Sequence, residues 1–382
     1  MHPKTTAKCA LPTKSQQLRR RRKKGRMSKL DDEIRVDAEE LLELVVAVFE
    51  RCGMSQADAA LLADSLVDAD LCGTHSHGIL RVPEYAEKLT TEGVNPTAKP
   101  EVVREGPSFV IVDGRNSMGQ IGTALAMRKV IGKAAQTGIA AGAIRGSNHC
   151  GAMAYFARMA LPHDMIGIAT TNALPTMAPW GGAERILGIN PIAISIPAGE
   201  MSPIVYDAAF SGSSHGKIRI YQQKGMRIPE GWVLDREGQP TTDPKVAIDG
   251  LLAPIGGFKG AGLAMIMGVL SSMLSGASYG TELGSIEEGP TPGEDGHFVA
   301  AIHIASFEDV ERFKSRVDAA IQQIHDCQLA PGFDRVYAPG ELEAIRRAEY
   351  SAQGIPLNRV TLADLRKTAE QLSIDENEYT WL

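Results

Sequence analysis

The first regular pattern along the chain is helical. Apolar residues recur every three or four positions over residues 37–51 and again over residues 55–71. This spacing places them on one face of an α-helix, where they can pack against a core. Asp37 and Ser55 begin the two segments, and both side chains can accept hydrogen bonds from the first N–H groups of a helix. Since Gly53 separates the two segments, the sequence predicts two helices joined by a short turn.

Short runs of β-branched and aliphatic residues predict a sheet in the middle of the chain. The runs 109–113 and 140–144 flank a helical pattern over residues 121–136, which predicts a β-α-β unit. Residues 225–257 are rich in Gly, Pro and turn dipeptides, so this segment is expected to be irregular. The other predicted strands are 166–171, 192–196, 204–206 and 298–304. The other predicted helices are 80–89, one starting at Gly260, 307–327, 341–350 and 362–372.

Charge is distributed unevenly along the 382 residues, whose net charge is −6. Residues 1–30 contain eleven Lys or Arg residues and no acidic one, whereas the rest of the chain holds 29 basic against 46 acidic residues. The acidic body is a poor nucleic-acid binder, because phosphate binding needs clustered Lys and Arg. We interpret residues 1–30 as a disordered basic tail. A non-catalytic protein that binds nucleic acid through this tail is the alternative from another functional class.

Five scattered cysteines without a C-x-x-C pair argue against disulfide staples and against a thiolate metal site. A reducing compartment fits this usage, and we expect a cytoplasmic protein. No metal site is expected, since the chain has no H-E-x-x-H motif and His75 and His77 lie only two positions apart. The most apolar stretch, residues 260–274, is too short to cross a membrane, so no membrane partner is expected.

Residues with chemical potential concentrate in segment 74–81, which reads Thr-His-Ser-His-Gly-Ile-Leu-Arg. His77 and Arg81 lie four positions apart and therefore within reach of each other. A guanidinium binds a carboxylate in a planar fork, and an imidazole can pass a proton to a developing alkoxide near neutral pH. The pair suits reduction of a 2-oxo acid. From this segment alone, a capping Ser with a surface His and an extended Arg is an equally good interpretation.

Two further segments carry candidate residues. His149 follows the predicted strand 140–144, and ligands of α/β sheets bind in loops at the carboxyl ends of strands, so it is a second acid/base candidate. Lys259 lies in the glycine-rich segment 256–262, which opens an apolar helix. Glycines let a phosphate approach the backbone, and a helix start favours anions. No G-x-G-x-x-G motif follows a strand, which speaks against a Rossmann dinucleotide site.

Four motifs, taken in order, resemble the malate/L-lactate dehydrogenase family that is unrelated to the Rossmann-fold enzymes of the same names; ureidoglycolate and sulfolactate dehydrogenases and 2,3-diketogulonate reductase are members. The motifs are residues 73–78 with Arg81, Pro83 and Tyr85, residues 147–149 with Gly151, residues 188–191, and residues 257–263. The resemblance extends from about residue 37 to about residue 340. Ile189 and Cys150 depart from the family pattern, which weakens any transfer of the substrate by analogy.

The resemblance implies an α/β protein with a non-Rossmann NAD(P)-binding fold. Its mixed central sheet is covered by helices and accompanied by an N-terminal helical part. We expect residues 31–110 to be the helical part of a substrate domain and residues 111–305 to be the cofactor-binding domain. Residues 306–382 are expected to be C-terminal helices that pack back on the N-terminal part. The family relationship also implies a homodimer or a larger homo-oligomer.

The resemblance also assigns roles to individual residues. Ser76 and Arg81 would bind the substrate, and His77 and His149 would exchange its proton. Asp207 would lie near the nicotinamide, where it could orient one imidazole. The residues expected to bind NADH or NADPH are Asn172, Ala173, Pro175, Asp207, His215, Lys217, Lys259, Gly260 and Arg316.

We therefore expect an NAD(P)H-dependent oxidoreductase that interconverts a small 2-hydroxy acid and a 2-oxo acid. Malate, lactate or ureidoglycolate is the type of substrate that the resemblance implies. In this hypothesis Arg81 pairs with the substrate carboxylate while His77 or His149 exchanges the hydroxyl proton. A reductase of a cyclic imino acid, such as piperideine-2-carboxylate, is the enzymatic alternative. In that reaction His77 or Asp207 would protonate the imine nitrogen.

Overall fold

A computed structural model gives the fold of residues 33–283, 294–375, 379, 381 and 382. The tail predicted over residues 1–30 lies outside these described residues. The α-helices are α1 Ala38–Arg51, α2 Gln56–Leu71, α3 Val82–Thr90, α4 Gly119–Thr137, α5 Met153–Arg158, α6 His215–Gln223, α7 Pro244–Ala247, α8 Phe258–Gly268, α9 Val310–His325, α10 Glu341–Gln353 and α11 Arg359–Gln371. The strands are β1 Glu33–Val36, β2 Glu101–Gly106, β3 Phe109–Asp113, β4 Ile139–Ser147, β5 Met165–Thr171, β6 Pro175–Met177, β7 Leu187–Gly188, β8 Ile192–Ile196, β9 Ile204–Ala208, β10 Val233–Leu234, β11 Pro240–Thr241, β12 Leu251–Leu252, β13 Asp295–His303 and β14 Ile355–Asn358.

A seven-stranded mixed sheet forms the centre of the molecule, in the order β2-β3-β4-β13-β5-β8-β9. β3 and β4 are parallel and are joined by α4, which confirms the predicted β-α-β unit. The other neighbouring strands of this sheet are antiparallel. A doubly wound Rossmann sheet is mostly parallel, so the arrangement confirms the expected non-Rossmann α/β fold with a mixed central sheet.

Apolar side chains from both helices and strands fill the space beside this sheet. Val112, Ile144 and Val299 come from three adjacent strands, while Met127 of α4 and Phe156 of α5 cover them. All five are buried, which removes their apolar surface from water and stabilises the packing of α4 and α5 on the sheet. This packing fixes α5, whose first and last turns contribute to the cavity described below.

A second sheet has five short strands in the order β11-β10-β12-β6-β7. It overturns the expectation that residues 225–257 are irregular, since β10, β11, α7 and β12 all lie there. Each of these three strands has only two residues, so none shows the alternation by which strands are recognised in a sequence. Met177, Val233 and Leu252 form part of the apolar cluster beneath this sheet.

The N-terminal helices share a core with the C-terminal ones. β1 pairs with β14 in antiparallel register, with Val36 opposite Ile355. Leu44 of α1, Leu66 of α2 and Leu365 of α11 belong to one buried cluster. The N-terminal part is not helical throughout, because β2 and β3 lead from it into the main sheet. The division of the chain at residues 110 and 305 stays a proposal.

Two predicted helices begin later than their patterns suggest. The first residues of segment 80–89 form a 3₁₀ turn, Ile79–Arg81, and α3 starts at Val82. The pattern over 307–327 becomes α9 only at Val310, because the Asp309 side chain accepts the Arg312 N–H and caps the helix there. Within the described part of the chain, none of the helices has both the length and the apolar content required to span a bilayer.

Helix α5 and strand β5 approach so closely that a side chain on Gly167 has no room. A Cβ atom there would lie 2.0 Å from the carbonyl oxygen of Ala157. We expect Gly167→Ala to lower the free energy of unfolding by about 1–3 kcal/mol, because backbone must move to relieve the overlap. Gly132→Ala in α4 is the matched control, since no atom lies within 4 Å of its Cβ position.

Gly132→Ala, in the interior of α4, is expected to stabilise the protein by up to about 1 kcal/mol, because Ala loses less backbone entropy than Gly on folding. Urea denaturation of both variants measures the two changes. Similar midpoints for the two variants would contradict the close contact between α5 and β5.

Candidate active site

The turn between α2 and α3 is held by one buried carboxylate. Asp70 accepts the backbone N–H of Ile79 at 2.7 Å, and its other oxygen lies 2.5 Å from Nδ1 of His75. A Cβ atom on Gly78 would lie 2.2 Å from the Asp70 carboxylate, so the turn has room only for glycine there. Asp70 therefore fixes the backbone that carries Ser76 and His77. Sequence analysis did not single out this residue, because α2 contains four Asp residues and its sequence does not show that Asp70 is the buried one.

His77 and His149 come together although they are far apart in the sequence. Their rings are stacked with centroids 5.7 Å apart and planes inclined by 20°. The hydroxyl of Ser76 lies 2.9 Å from Nδ1 of His77. The structure thus brings a residue of the α2–α3 turn against the loop that follows β4, as a shared site requires.

The tautomer of His149 follows from its partners. The backbone N–H of Gly151 donates to Nδ1 at 3.3 Å, and the Tyr85 hydroxyl lies 2.6 Å from the same atom. Because a backbone N–H can only donate, Nδ1 is the acceptor, and the neutral ring carries its proton on Nε2. Tyr85 then donates its hydroxyl proton to Nδ1.

Gln120 in α4 stands behind Tyr85. Its Nε2 donates to the Tyr85 hydroxyl at 3.4 Å, and its Oε1 is buried without a partner among the described residues. A buried polar side chain usually has a hydrogen-bond partner. For Gln120 that partner is the Tyr85 hydroxyl, so Gln120 marks the inner wall of the site. Sequence analysis missed it because its role depends on the packing of α4 against α3.

Arg81 lies beside both imidazoles. Its Nε donates to the carbonyl oxygen of Ser76 at 2.9 Å, and its Nη1 lies 2.5 Å from the Glu84 carboxylate. Sequence analysis did not single out Glu84, although its position three residues after Arg81 is typical of an ion pair within one helical turn. These two contacts orient the guanidinium next to His77 and His149.

Burial controls the protonation of the cluster. Burial and, to a smaller extent, the charge of Arg81 together lower the pKa of His77 to about 4. Burial also lowers the pKa of His149 well below its usual range, with His77 and Arg81 as additional causes. Both imidazoles are therefore neutral at neutral pH. Burial has the opposite effect on a carboxyl group and raises the pKa of Asp207 to about 6.

One cavity of about 550 Å³ is lined by Ser76, His77, Ile189 and Asp207 together with other residues. Asp207 lies in β9, and its carboxylate accepts the backbone N–H of Ala154 at 2.8 Å. Among the described residues it makes no hydrogen bond to an imidazole, and its expected orienting role stays a prediction.

A second cavity, of about 620 Å³, lies at the start of α8. Its lining includes Trp180, Gly256 and Gly257, and Lys259 is exposed two residues further along the chain. Gly257 has φ +65°, and a Cβ atom there would lie 2.9 Å from the Trp180 ring. Gly260 is buried in the first turn of α8. The absence of a side chain on Gly257 thus leaves room in this cavity, two residues before Lys259, which was predicted to bind the cofactor.

The segment after β5 is fixed by internal hydrogen bonds. Buried Asn172 donates to Ser272 Oγ at 2.6 Å and to the Ser278 carbonyl oxygen at 2.9 Å. The N–H of Ala173 donates to Asn190 Oδ1 at 2.9 Å. Pro175 begins β6 and pairs with β7. In this structure Asn172 holds the backbone that leads to the second cavity.

The other residues predicted to bind the cofactor lie elsewhere. His215 and Lys217 are in the first turn of α6, where the Lys217 ammonium lies 4.6 Å from the centre of the Trp232 ring. Arg316 is exposed on α9. These three residues do not line either cavity. Their assignment to the cofactor stays a prediction.

A buried network that includes His297 of β13 supports the loop after β4. His297 Nε2 lies 2.8 Å from Ser147 Oγ, and its Nδ1 lies 2.8 Å from Thr171 Oγ1 and 3.4 Å from Cys150 Sγ. Burial lowers the pKa of His297 to about 3, so the ring is neutral. Sequence analysis missed His297 because it lies inside a strand. No three His, Cys, Asp or Glu side chains in the described ranges are arranged to hold a metal ion.

Comparison with known proteins places this site in context. A family profile described as malate/L-lactate dehydrogenase matches residues 36–366. The malate dehydrogenase of Pyrococcus horikoshii is 37% identical over 350 residues, which cover 90% of this chain and 96% of that protein. A Δ1-pyrroline-2-carboxylate/Δ1-piperideine-2-carboxylate reductase of Pseudomonas putida is 32% identical over 336 residues, covering 87% of this chain and 96% of the reductase. The structure of sulfolactate dehydrogenase from Methanocaldococcus jannaschii superposes with a TM-score of 0.87 at 35% identity, covering 91% of this chain and 100% of that one.

Replacing Arg81 by Leu is expected to raise the pKa of His77, because the neighbouring positive charge disfavours the imidazolium. In the unliganded wild type, His77 should titrate at about pH 4, which NMR of the imidazole measures directly. The depressed pKa also makes the His77 contribution to stability fall as the pH drops from about 6.5 to about 4, since the unfolded chain takes up the proton first.

Lys99→Leu serves as the control for this titration, because it removes a cation that is paired with Asp58 instead. It should leave the His77 titration unchanged. A wild-type His77 that titrates at its ordinary pKa would contradict the burial and charge that we assign to this site.

Proposed function

The chain belongs to the malate/L-lactate dehydrogenase family, and we propose that it is an NAD(P)H-dependent oxidoreductase. In this proposal it interconverts a small 2-hydroxy acid and the corresponding 2-oxo acid by hydride transfer. The observation that carries the proposal is the stacked pair of His77 and His149 beside Arg81, together with the cavity that His77 and Asp207 both line.

Arg81 binds the carboxylate of the substrate, and the Ser76 hydroxyl assists it. A guanidinium suits this task because it offers two parallel N–H donors to the two oxygens of a carboxylate. Binding also changes the acid/base chemistry of the site. The substrate carboxylate offsets the charge of Arg81 that lowers the pKa of His77, so the imidazole accepts a proton more readily once the substrate is in place.

His77 exchanges the proton with the substrate oxygen. It lines the cavity, whereas His149 lies behind it with Nδ1 engaged by Tyr85 and Gly151. In the reductive direction His77 donates a proton to the alkoxide, and in the oxidative direction it removes the hydroxyl proton. His149 holds the His77 ring in position by stacking against it.

NADH or NADPH supplies the hydride when it is bound. The residues that would hold it are the glycines at the start of α8 and Lys259. Support comes from the second cavity, where a side chain on Gly257 would collide with the Trp180 ring. Lys259 places a positive charge at the first turn of α8, where a helix start also favours the anionic groups of a dinucleotide.

We also propose assembly as a homodimer or a larger homo-oligomer. The support is an exposed apolar surface on α8 and the helical turn that continues it, at Met265, Ile266, Met273 and Leu274. Exposed apolar patches of this kind commonly mark interfaces. We propose a cytoplasmic location because the four described cysteines are free, which fits a reducing compartment.

His77→Ala is expected to lower kcat by about 10²- to 10⁴-fold, because a positioned acid/base contributes on that scale. His149→Ala should have a smaller effect if His149 acts by stacking. Both variants should still bind NADH or NADPH, which fluorescence titration tests. His163→Ala, at an exposed turn outside both cavities, is the control and should keep full turnover. Near-normal turnover in both His77→Ala and His149→Ala would rule out the proposed mechanism.

Reduction of a cyclic imino acid is the second candidate, favoured by the raised pKa of Asp207. A carboxyl group with a pKa of about 6 can donate a proton to an imine nitrogen close to neutral pH. NADH or NADPH oxidation with pyruvate, oxaloacetate and piperideine-2-carboxylate separates the two candidates. Our main proposal expects faster turnover of a 2-oxo acid.

The variant Asp207→Asn cannot donate that proton, so it should abolish any imine reduction while sparing more of the 2-oxo acid reduction. Asp334→Asn, at an exposed position that lines neither cavity, is the control. Imine reduction that is faster than 2-oxo acid reduction, and that depends on Asp207, would replace our main proposal with the second candidate.

A further inference from the structure

The two ring nitrogens of His149 have different surroundings. Nδ1 lies 2.6 Å from the Tyr85 hydroxyl and accepts the backbone N–H of Gly151 at 3.3 Å. Nε2 has no hydrogen-bond partner among the described residues, and the four side-chain atoms that are buried there without one belong to other residues. Nε2 is therefore accessible, so a molecule beside the imidazole can form a hydrogen bond with it.

The backbone N–H of Gly151 fixes the proton of His149 on Nε2. A main-chain N–H only donates, so Nδ1 turns its lone pair toward it, and a neutral imidazole then holds its single proton on the other nitrogen. Moving that proton to Nδ1 would bring two N–H groups face to face. Gly151 has a φ of +76°, a conformation that glycine adopts without strain, so the loop holds this N–H in place.

Tyr85 and Gln120 favour the same tautomer from the inner wall of the site. The Tyr85 hydroxyl accepts an N–H of Gln120 at 3.4 Å and donates its own proton to Nδ1 of His149. Both side chains are fully buried, so water does not compete for these bonds. Burial also raises the pKa of Tyr85, so the hydroxyl keeps the proton that it donates.

This arrangement leaves His149 without a lone pair on its accessible edge. A base must present a lone pair to the proton that it removes, and the lone pair of His149 points at Tyr85 and Gly151. His149 can therefore donate a hydrogen bond through Nε2–H but cannot accept a proton there. His77 differs, because it lines the main cavity and only the Ser76 hydroxyl lies at its Nδ1.

The accessible N–H lies close to the group that we propose to exchange the proton. The rings of His77 and His149 are stacked with centroids 5.7 Å apart. Two hydrogen bonds of about 2.9 Å that meet at one oxygen join nitrogens up to about 5.8 Å apart, which is comparable to this separation. One oxygen at the edges of the two rings can therefore contact both imidazoles. Gly151 lines the main cavity, so the loop of His149 borders the space for a substrate.

We propose that His149 is a catalytic residue that donates its Nε2–H to the 2-oxygen of the substrate and keeps this proton throughout the reaction. The inference rests on the proposed function, in which His77 exchanges the proton. Hydride addition from NADH or NADPH to the 2-carbon breaks the C=O π bond and places its electron pair on the 2-oxygen. The N–H of neutral His149 stabilises this negative charge, and the proton that neutralises it comes from His77. Tyr85 and Gln120 are positioning residues, because they act on the substrate only through His149.

Three substitutions of His149 separate hydrogen-bond donation from stacking. His149→Gln keeps an N–H donor at a similar distance from the backbone, His149→Phe keeps an aromatic ring, and His149→Ala keeps neither. With the faster of pyruvate and oxaloacetate, the Phe and Ala variants should lower kcat by about 10²- to 10³-fold, as for a lost donor to a developing oxyanion. The Gln variant should turn over at least about tenfold faster than either, because its amide still donates. A Phe variant as fast as the Gln variant would show that the ring acts by stacking alone and would overturn the proposal.

The pH dependence of kcat gives a second criterion. His149→Gln should keep the ionisation that controls kcat in the wild type, since we assign that ionisation to His77. Its disappearance in His149→Gln would make His149 the group that exchanges the proton. That result would reject the role of His149 as a permanent donor and leave the hydride-transfer reaction of the proposed function intact.

Tyr85→Phe tests the positioning of His149. It removes the hydroxyl that donates to Nδ1, so kcat should fall by about 3- to 10-fold, the factor for one lost hydrogen bond, while KM stays within about threefold. Tyr155→Phe is the matched control, because its hydroxyl donates to Asp64 at 2.6 Å and Tyr155 lines neither cavity. It should leave kcat unchanged. Equal kcat values in the two variants would contradict the positioning role of Tyr85.

Nitrogen-15 NMR of the unliganded protein tests the tautomer without turnover. The method distinguishes a protonated ring nitrogen from an unprotonated one, and the signals lost in His149→Gln are those of His149. Nε2 should carry the proton and Nδ1 should not, without change between about pH 5 and pH 9, because burial lowers the pKa of His149 well below its usual range. A protonated Nδ1, or a ring that titrates in this interval, would reject the proposed role of His149 alone. Absence of turnover with every 2-oxo acid would instead reject the proposed function, and with it the role of His149 toward the 2-oxygen.

Discussion

The buried carboxylate of Asp70 is the contact on which the geometry of the site depends. It accepts the N–H of Ile79 and contacts the ring of His75, so it closes the turn between α2 and α3 from the inside. Without it a buried N–H would lack a partner, which costs about 1–3 kcal/mol. The absence of a side chain on Gly78 allows the carboxylate to fit. The position of this turn determines where the His77 imidazole lies.

Burial then shifts the pKa values of the imidazoles and of the carboxyl group in this site in opposite directions. The imidazoles of His77 and His149 lose water and face Arg81, so their pKa values fall and they stay neutral. The carboxyl group of Asp207 also loses water, but its pKa rises, because burial always disfavours the charged form. A site that is mostly neutral when empty can respond to the charge of an incoming carboxylate. In the mechanism that we propose, the substrate carboxylate thereby makes His77 a better proton acceptor.

Several parts of this arrangement could be predicted from the sequence for physical reasons. The helices α1, α2 and α4 are long and have apolar residues at helical spacing, so their patterns are strong, and β3 and β8 have the predicted bounds. The two-residue strands of the second sheet leave no such pattern. Gln120 and His297 are buried polar residues, and their roles depend on neighbours from other elements. Arg158 and Arg347 both donate to the carboxylate of Asp68, and these three residues lie on helices that are distant in the chain.

The sequence by itself identified the side chains that we propose to carry the chemistry, because His77, Arg81 and His149 belong to local motifs with recognisable residue types. It also determined the α/β class, since helical and strand periodicities are local properties. Only the tertiary structure decided that the two imidazoles stack, that Asp207 contacts the first turn of α5 and that two arginines lie in the same cavity. These facts depend on distances between elements far apart in the chain, and such distances are set by the packing of the whole core.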